Sequence, residues 1–427
     1  MIIHVVQPGE TIYSISAYYG LPVNSIIQEN GITNPDDLVV GQTIVIVYPQ
    51  IVYTVQEGDT LEDIAYKYGT NLFQLLRNNP HLSEQEFIYP GETIIISYYT
   101  EKISTITTNG FAYPFIDKDI LRKTLPFLSY LTIFHYRVML NGDLIDIDDS
   151  ELIQLAKEYD VAPMMLISTL SDQGIGSKEV ATNILNNMDV QERFVDNVVS
   201  MLKTKGYYGL NIYIQFLIPE NRTLVEQFLQ RFTKRIHEEG FRVVVTVTPK
   251  VNYELTNVEY EKIDYSSIAQ MVDKILFVSY EWGYSYGPPA SVAPVNLIRE
   301  ILNYIVTTVP PEKVSIGLSI VGYDWPLPYI PGFTRANAIT TEAAIEIARV
   351  EGVSIQFDII SQAPYFFYIS SDQKYHIVWF KDARNVDVIT GLLPEYGFTG
   401  LSIWNINHFF TQMWLIINVN YDIEKVL

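Results

Sequence analysis

Short apolar runs alternate with longer amphipathic segments from residue 103 onward. Eight runs are strand candidates: ISTITTNG, LTIFHYRV, APMMLIS, YGLNIYIQF, FRVVVTVTP, KILFVSYEW, KVSIGLSIV and GLSIWNI. The helix candidates between them are ELIQLAKEY, VQERFVDNVVSMLKTK, NRTLVEQFLQRFTKRIHEEG, PVNLIREILNYIVTTV and VDVITGLLPEYG. Such alternation is typical of βα units around a parallel sheet. It predicts an α/β fold, a (β/α)₈ TIM barrel over residues 100–427, with a strand-rich insertion after strand seven at roughly 323–380.

An internal duplication precedes the predicted barrel. HVVQPGETIYSISAYYGL (4–21) matches YTVQEGDTLEDIAYKYGT (53–70), and VVGQTIVI later in the first copy matches YPGETIII in the second. Each copy predicts a short strand, a turn ending in a helix-capping Thr, two helices and a closing strand. We therefore expect three domains, at residues 1–49, 50–99 and 100–427.

Composition excludes several classes of function. A net charge of -21 argues against nucleic acid and anionic membranes, which both need clustered Lys and Arg. The chain has no cysteine, and its six histidines lack the spacing of a metal pair, so we expect no metal and no cofactor. The start, MIIHVVQPGE, has no basic segment and no long apolar segment. We therefore expect no signal peptide, with synthesis in the cytoplasm.

The duplicated segment resembles the LysM family, small βααβ modules that bind N-acetylglucosamine-containing glycans such as peptidoglycan and chitin. The resemblance covers residues 3–97. It implies a sugar groove between the first strand–helix loop and the second helix–strand loop, with Gly9 and Thr11, and Gly58 and Thr60, beside the glycan. The alternative is that these four are turn and cap residues and that backbone amides bind the sugar. Two modules would add avidity.

The residues that close the barrel's apolar runs are unusually aromatic. In a TIM barrel the site lies where the strands end, and aromatic faces there can stack on sugar rings. The set is Tyr113, Tyr213, Tyr280, Trp282, Tyr323, Trp325 and Trp404. The alternative is that these rings fill a large core. Tyr284 and Tyr286 are predicted to pack within their own loop.

These segments resemble family 18 glycoside hydrolases, and within them the LysM-bearing spore-cortex-lytic N-acetylglucosaminidases of spore-forming Firmicutes. The resemblance is carried by GFAYPFID, YYGLNIYIQFLIPENR, SYEWGYSYGPPASVAP, GLSIVGYDWPLPY and GLSIWNI. It implies an Asp-x-Glu pair on strand four, in which Glu protonates the glycosidic oxygen while Asp orients the attacking substrate acetamide. It also implies a sugar-binding shell formed by Asn211, Tyr280, Trp404, Trp325 and Asp358.

Strand four departs from the family pattern, because it reads Asn211-Ile-Tyr213-Ile-Gln215. Gln215 has no proton to give near neutral pH, and losing a general acid costs about 10²–10⁴ in rate. Tyr213 stays neutral and cannot supply negative charge. Glu281, beside Tyr280, is either a rescuing acid or an ordinary hydrogen-bond partner.

Three functions follow from these observations. The leading hypothesis is a protein that binds peptidoglycan or chitin-type glycan in the spore coat, cortex or cell wall and has lost hydrolysis. The alternative is an active or weakly active N-acetylglucosaminidase that degrades cortex peptidoglycan. The second alternative is a structural protein that contacts other spore-coat proteins.

Overall fold

The first LysM-like unit is a βααβ module. The computed structural model describes residues 1–85, 87–170, 177–214, 222–249, 264–280 and 282–427. The unit comprises β1 (Ile2–Val5), α1 (Ile12–Tyr19), α2 (Val23–Asn30) and β2 (Thr43–Ile46), and β1 pairs antiparallel with β2. Thr11 and Ser14 form a reciprocal capping box at the start of α1. Gly20 ends this helix in the left-handed conformation that the sequence predicts.

The second unit repeats this arrangement. It contains β3 (Pro49–Thr54), α3 (Leu61–Tyr68), α4 (Leu72–Asn78), a short 3₁₀ helix (Pro80–Glu84) and β4 (Thr93–Tyr98), and β3 pairs antiparallel with β4. Each unit has its own small apolar core. The predicted pair of βααβ modules is confirmed.

The remaining strands belong to the barrel and its insertion. They are β5 (Ser104–Ala112), β6 (Tyr130–Val138), β7 (Leu144–Ile145), β8 (Ala162–Ser168), β9 (Gly209–Ile214), β10 (Arg242–Val247), β11 (Lys274–Phe277), β12 (Val314–Ser319), β13 (Gly322–Leu327), β14 (Asn337–Ile339), β15 (Gln356–Asp358), β16 (Ala363–Ile369), β17 (Tyr375–Trp379), β18 (Gly400–Trp404) and β19 (Tyr421–Ile423). Eight of them form a closed parallel sheet in the order β5-β6-β8-β9-β10-β11-β12-β18, and β18 pairs back with β5. The (β/α)₈ barrel is confirmed.

Helices surround the barrel. They are α5 (Lys118–Thr124), α6 (Ser150–Glu158), α7 (Lys178–Asn186), α8 (Met188–Lys205), α9 (Arg222–Glu238), α10 (Tyr265–Met271), α11 (Val295–Thr308), α12 (Thr341–Val350), α13 (Ala383–Tyr396) and α14 (Thr411–Asn420). The strands read as continuous apolar runs because helices cover one face and barrel side chains the other. Every residue of β8 is buried accordingly.

The insertion between β12 and α13 is an antiparallel sheet in the order β14-β13-β17-β16-β15. The helix α12 packs on this sheet and contributes Ala344 and Ala348 to a core shared with Phe366. A strand-rich insertion is therefore confirmed, and α12 is an addition to it. No described helix is long and apolar enough to cross a membrane.

Candidate functional site

A cleft of about 770 Å³ opens where the barrel strands end. Its wall is largely aromatic. The lining residues are Phe111, Tyr113, Pro114, Phe134, His135, Arg137, Ile145, Ile147, Leu166, Leu170, Tyr213, Thr246, Val278, Tyr280, Gly283, Tyr284, Val292, Ser319, Tyr323 and Trp404. A concave, mostly apolar site with a few polar groups suits a ligand that has both apolar faces and hydroxyls, such as a sugar.

Trp404 is the centre of the aromatic wall. It ends β18, in register with Phe111 on β5 and Ser319 on β12, and its carbonyl accepts a hydrogen bond from the Ile320 amide at 3.0 Å. Its ring centroid lies 5.1 Å from that of Phe134 and 6.0 Å from that of Tyr113. Neighbouring strands thus fix the indole from both sides, while part of the ring stays accessible.

Tyr213 extends into the cleft from β9. Its hydroxyl lies 3.1 Å from the hydroxyl of Thr248, and its backbone is in register with Thr246 on β10. The side chain is half-buried and lines the cavity. A neutral phenol therefore lies in the cleft at the position where the family resemblance implies an aspartate.

Tyr280 follows β11 and lines the cleft from the next side. Its ring lies against β12 at Gly317, where any added Cβ would be 2.5 Å from a ring carbon. Gly317 is therefore required for the ring to reach this position. Glu281, the next residue, and Gln215 both lie outside the described residues, so their predicted roles stay predictions.

Among the described lining residues there is no carboxylate. The polar side chains there include His135, Arg137 and several tyrosines. His135 Nδ1 lies 3.1 Å from the hydroxyl of Ser168, and burial raises the pKa of the Tyr113 phenol. This part of the cleft can bind and orient a polar ligand, but it holds no group that carries negative charge at neutral pH.

Asn211 is not among the described residues that line the cleft. It is fully buried inside the barrel, where its side-chain oxygen accepts a hydrogen bond from Thr246 at 2.8 Å. It lines a separate cavity of about 30 Å³ near the beginnings of the strands, together with Thr107 and Lys274. Among the described residues Asn211 is linked to the cleft only through Thr246, which lines it, and a direct contact of Asn211 with substrate stays a prediction.

Trp325 is also displaced from its expected role. It is completely buried in the insertion, packs against Ala336 and Ile377, and donates its ring N–H to the carbonyl of Gly287 at 2.9 Å. An enclosed indole has no face to offer a sugar, so Trp325 is a core residue of the insertion.

Asp358 lies in the insertion and is not among the described residues that line the cleft. Its carboxylate accepts hydrogen bonds from the amide of Ser361 at 2.8 Å and the hydroxyl of Ser361 at 2.5 Å. Burial favours the neutral acid, but these bonds outweigh it and lower the pKa of Asp358. The residue stabilises a turn and does not line the cleft.

The four LysM loop residues have clear local roles. Thr11 and Thr60 cap α1 and α3. Each side-chain oxygen accepts a hydrogen bond at 3.1 Å from the backbone amide three residues later in the chain. Gly9 and Gly58 have φ of 83° and 87°, a left-handed conformation that favours glycine. This geometry agrees with the alternative that the four are turn and cap residues, and their direct contact with a glycan stays a prediction.

Several cleft residues were not singled out from the sequence. Phe134, His135 and Arg137 come from FHYR near the end of the second apolar run, and this mixture of aromatic and basic residues at a strand end was an available signal. Tyr284, expected to pack only within its loop, lines the cleft. Within the described chain, no group of three His, Asp or Glu side chains could hold a metal ion.

Arg222 is the first residue of α9. Its guanidinium contacts Glu226 at 2.9 Å, one turn along α9, and Asp264 at 3.5 Å. Arg222 therefore links α9 to the start of α10, away from the residues that line the cleft.

Comparisons with known proteins agree with this architecture. The model of "Glycosyl hydrolases family 18" matches residues 127–408, and the LysM domain model matches residues 4–47 and 53–97. The cortical fragment-lytic enzyme of Bacillus subtilis (strain 168) is 32% identical, covering 100% of this chain and 99% of that protein. The putative sporulation-specific glycosylase YdhD of the same organism is 30% identical over 100% of both. The crystal structure of the spore cortex-lytic enzyme SleL from Bacillus megaterium QM B1551 has a TM-score of 0.82 at 32% identity, covering 100% of this chain and 99% of that chain.

Proposed function

Because the chain belongs to glycosyl hydrolase family 18 and also matches the LysM domain twice, we propose that it binds peptidoglycan or a related N-acetylglucosamine polymer in the spore cortex or cell wall without cutting it. The observation that carries this proposal is the phenol of Tyr213 in the cleft, where the family mechanism needs a carboxylate. The aromatic wall around Trp404 supports the binding half of the proposal.

The missing carboxylates affect two steps of the reaction. A glycosidic oxygen needs a proton as its bond to the anomeric carbon breaks, and the amide Gln215 cannot donate one near neutral pH. When the substrate acetamide attacks the anomeric carbon, the oxazolinium ring that forms carries a positive charge and needs a nearby anion. Tyr213 is neutral near neutral pH and cannot provide one. These two substitutions remove groups needed for bond cleavage and leave the aromatic wall around Trp404 in place, so binding and cleavage are separable under this proposal.

A second candidate function is hydrolysis of cortex glycan. It is favoured by the relatives, which are described as a cortical fragment-lytic enzyme, a sporulation-specific glycosylase and a spore cortex-lytic enzyme. The comparisons support this candidate better than binding alone. In this case Glu281 would donate the proton. Both candidates share the glycan and the location in the spore cortex or wall, and contact with spore-coat proteins remains a further prediction.

The experiment that separates the two candidates is incubation of the purified chain with insoluble cortex muroglycan. Sedimentation measures the bound fraction, and a reducing-sugar assay measures cleavage in the same tubes. We expect retention on the glycan without new reducing ends. New reducing ends made by the wild-type chain would establish hydrolysis and refute the binding-only proposal, and their loss in Glu281→Gln would identify Glu281 as the acid.

A further inference from the structure

The two LysM domains are placed differently on the barrel. We infer that the first is docked through its glycan-facing loop onto the barrel insertion, and that the second alone presents an open loop to N-acetylglucosamine glycan. We call residues 31–42 the docked loop and residues 87–92 the open loop. The inference rests on the proposed function, because it names the surface that contacts the glycan.

The docked loop is part of the insertion's core. Val39 is only 6% exposed and packs in one cluster with Ala344, Ala348 and Phe366. The carbonyl of Val40 accepts a hydrogen bond from the amide of Ile355 at 2.9 Å, so the backbone of the loop is bonded directly to the backbone of the insertion. The apolar part of this loop is therefore already covered by the chain itself.

Polar contacts fix the same loop at its rim. The α12 residue Arg349 donates a hydrogen bond to Asp37 of the loop at 3.1 Å. Asn34 of the loop donates one to Glu346, also on α12, at 3.0 Å. At Gly41 a Cβ would be 2.1 Å from the carbonyl oxygen of Ile355. The approach is too close for any other residue, and it leaves no space for a sugar between the loop and the insertion.

The open loop has the same internal structure but no such cover. Gly91 corresponds to Gly41 and has φ of 94° against 88°. Its amide donates to the carbonyl of Val55, as the amide of Gly41 does to that of Val6. No atom lies within 4 Å of a Cβ built at Gly91. The contrast therefore arises from what surrounds each loop.

Two aromatic side chains mark the open loop. Tyr89, which corresponds to the buried Val39, is 60% exposed, and Phe87 is 64% exposed. The first strand–helix loops of the two modules are alike: Glu10 accepts the Gln7 amide at 2.8 Å, and Asp59 accepts the Gln56 amide at 2.7 Å. The part of the loop next to the closing strand is therefore covered in the first module and open in the second, where aromatic faces suit the sugar rings of a glycan.

The duplication predicted avidity from two equivalent modules, and this arrangement replaces that expectation. One LysM surface and the barrel cleft are the two glycan contacts, and the first module is held on the insertion. The second module is joined to the same body through Asn78, which accepts a hydrogen bond from Asn418 on α14 at 2.8 Å.

The test is a crossed comparison of four variants of the full chain. Retention on insoluble cortex muroglycan gives an apparent Kd, and thermal unfolding gives a Tm. We expect Tyr89→Ala to raise Kd by about tenfold, as loss of a central aromatic contact does, with no change in Tm. Val39→Ala, at the corresponding position, should lower Tm and leave Kd unchanged. In the first loops, Asp59→Ala should raise Kd while the matched Glu10→Ala does not.

The outcomes separate this inference from the proposed function. Failure of the wild-type chain to bind the glycan would refute the proposed function. Binding that is insensitive to Tyr89→Ala and Asp59→Ala, or that Glu10→Ala weakens as strongly as Asp59→Ala, would overturn the inference alone.

Discussion

Glu29 makes the stability of the module interface depend on pH. It lies on α2 of the first module, and its carboxylate contacts the hydroxyl of Tyr98 in the second module at 3.4 Å. Burial raises the pKa of Glu29 from 4.5 to about 7, and the bond from Tyr98 only partly opposes this change. Between these pH values the folded chain holds a proton that the unfolded chain has released.

The unfolding free energy therefore falls as pH rises from 4.5 to about 7. At about 1.4 kcal/mol for each pH unit, the whole effect is at most about 3 kcal/mol. Glu29→Gln keeps the shape of the side chain and removes its ionisation. We expect the variant to match the wild type near pH 4.5 and to be more stable by up to about 3 kcal/mol at pH 8.

Urea unfolding of the LysM domains in the full chain, followed by circular dichroism from pH 4.5 to 8, measures this difference. Glu57→Gln, on an exposed loop, is the matched control and should follow the wild type at every pH. If the difference in unfolding free energy between Glu29→Gln and wild type does not change with pH, Glu29 does not ionise within the interface.

Two further predictions concern the barrel and its insertion. Trp404→Ala should weaken binding to cortex muroglycan by about tenfold or more in a sedimentation assay, because it removes the centre of the aromatic wall. Trp325→Phe should lower the unfolding free energy by about 1–3 kcal/mol and leave binding unchanged, and equal loss of binding in both variants would contradict the assignment. Burial lowers the pKa of Lys381 from 10.5 to about 7. The buried charge therefore destabilises the folded chain fully below pH 7, and this destabilisation disappears as pH rises to 10.5. Lys381→Met should therefore be more stable than wild type below pH 7 in urea unfolding, with an advantage that shrinks in alkali, and a pH-independent advantage would contradict this explanation.

The sequence predicted the barrel well for a physical reason. A parallel strand such as β8 is buried on both faces, so it appears as an unbroken apolar run between polar turns. The helix α14 was missed because it is apolar on nearly every side, with Trp414, Ile416 and Ile417 all buried, and so lacks the polar face that marks a surface helix. Its position between the barrel and the LysM modules explains that composition.

The candidate site was predictable where strand order decides it. Tyr213, Tyr280 and Trp404 lie at or just after strand ends, and the barrel brings them together. Trp325 and Asp358 were misplaced because they belong to the insertion, whose fold depends on contacts distant in sequence. For the same reason the docking of the first module could not be read from the duplication.

The central claim is that the cleft binds glycan but lacks the groups needed to cut it. Its most direct test is hydrolysis of cortex muroglycan by the wild-type chain and by the double variant Tyr213→Asp/Gln215→Glu, with binding measured on the same substrate. We expect the wild type to bind without releasing reducing ends and the double variant to release them. Release of reducing ends by the wild-type chain, or failure of the double variant to release them while it still binds, would contradict the claim.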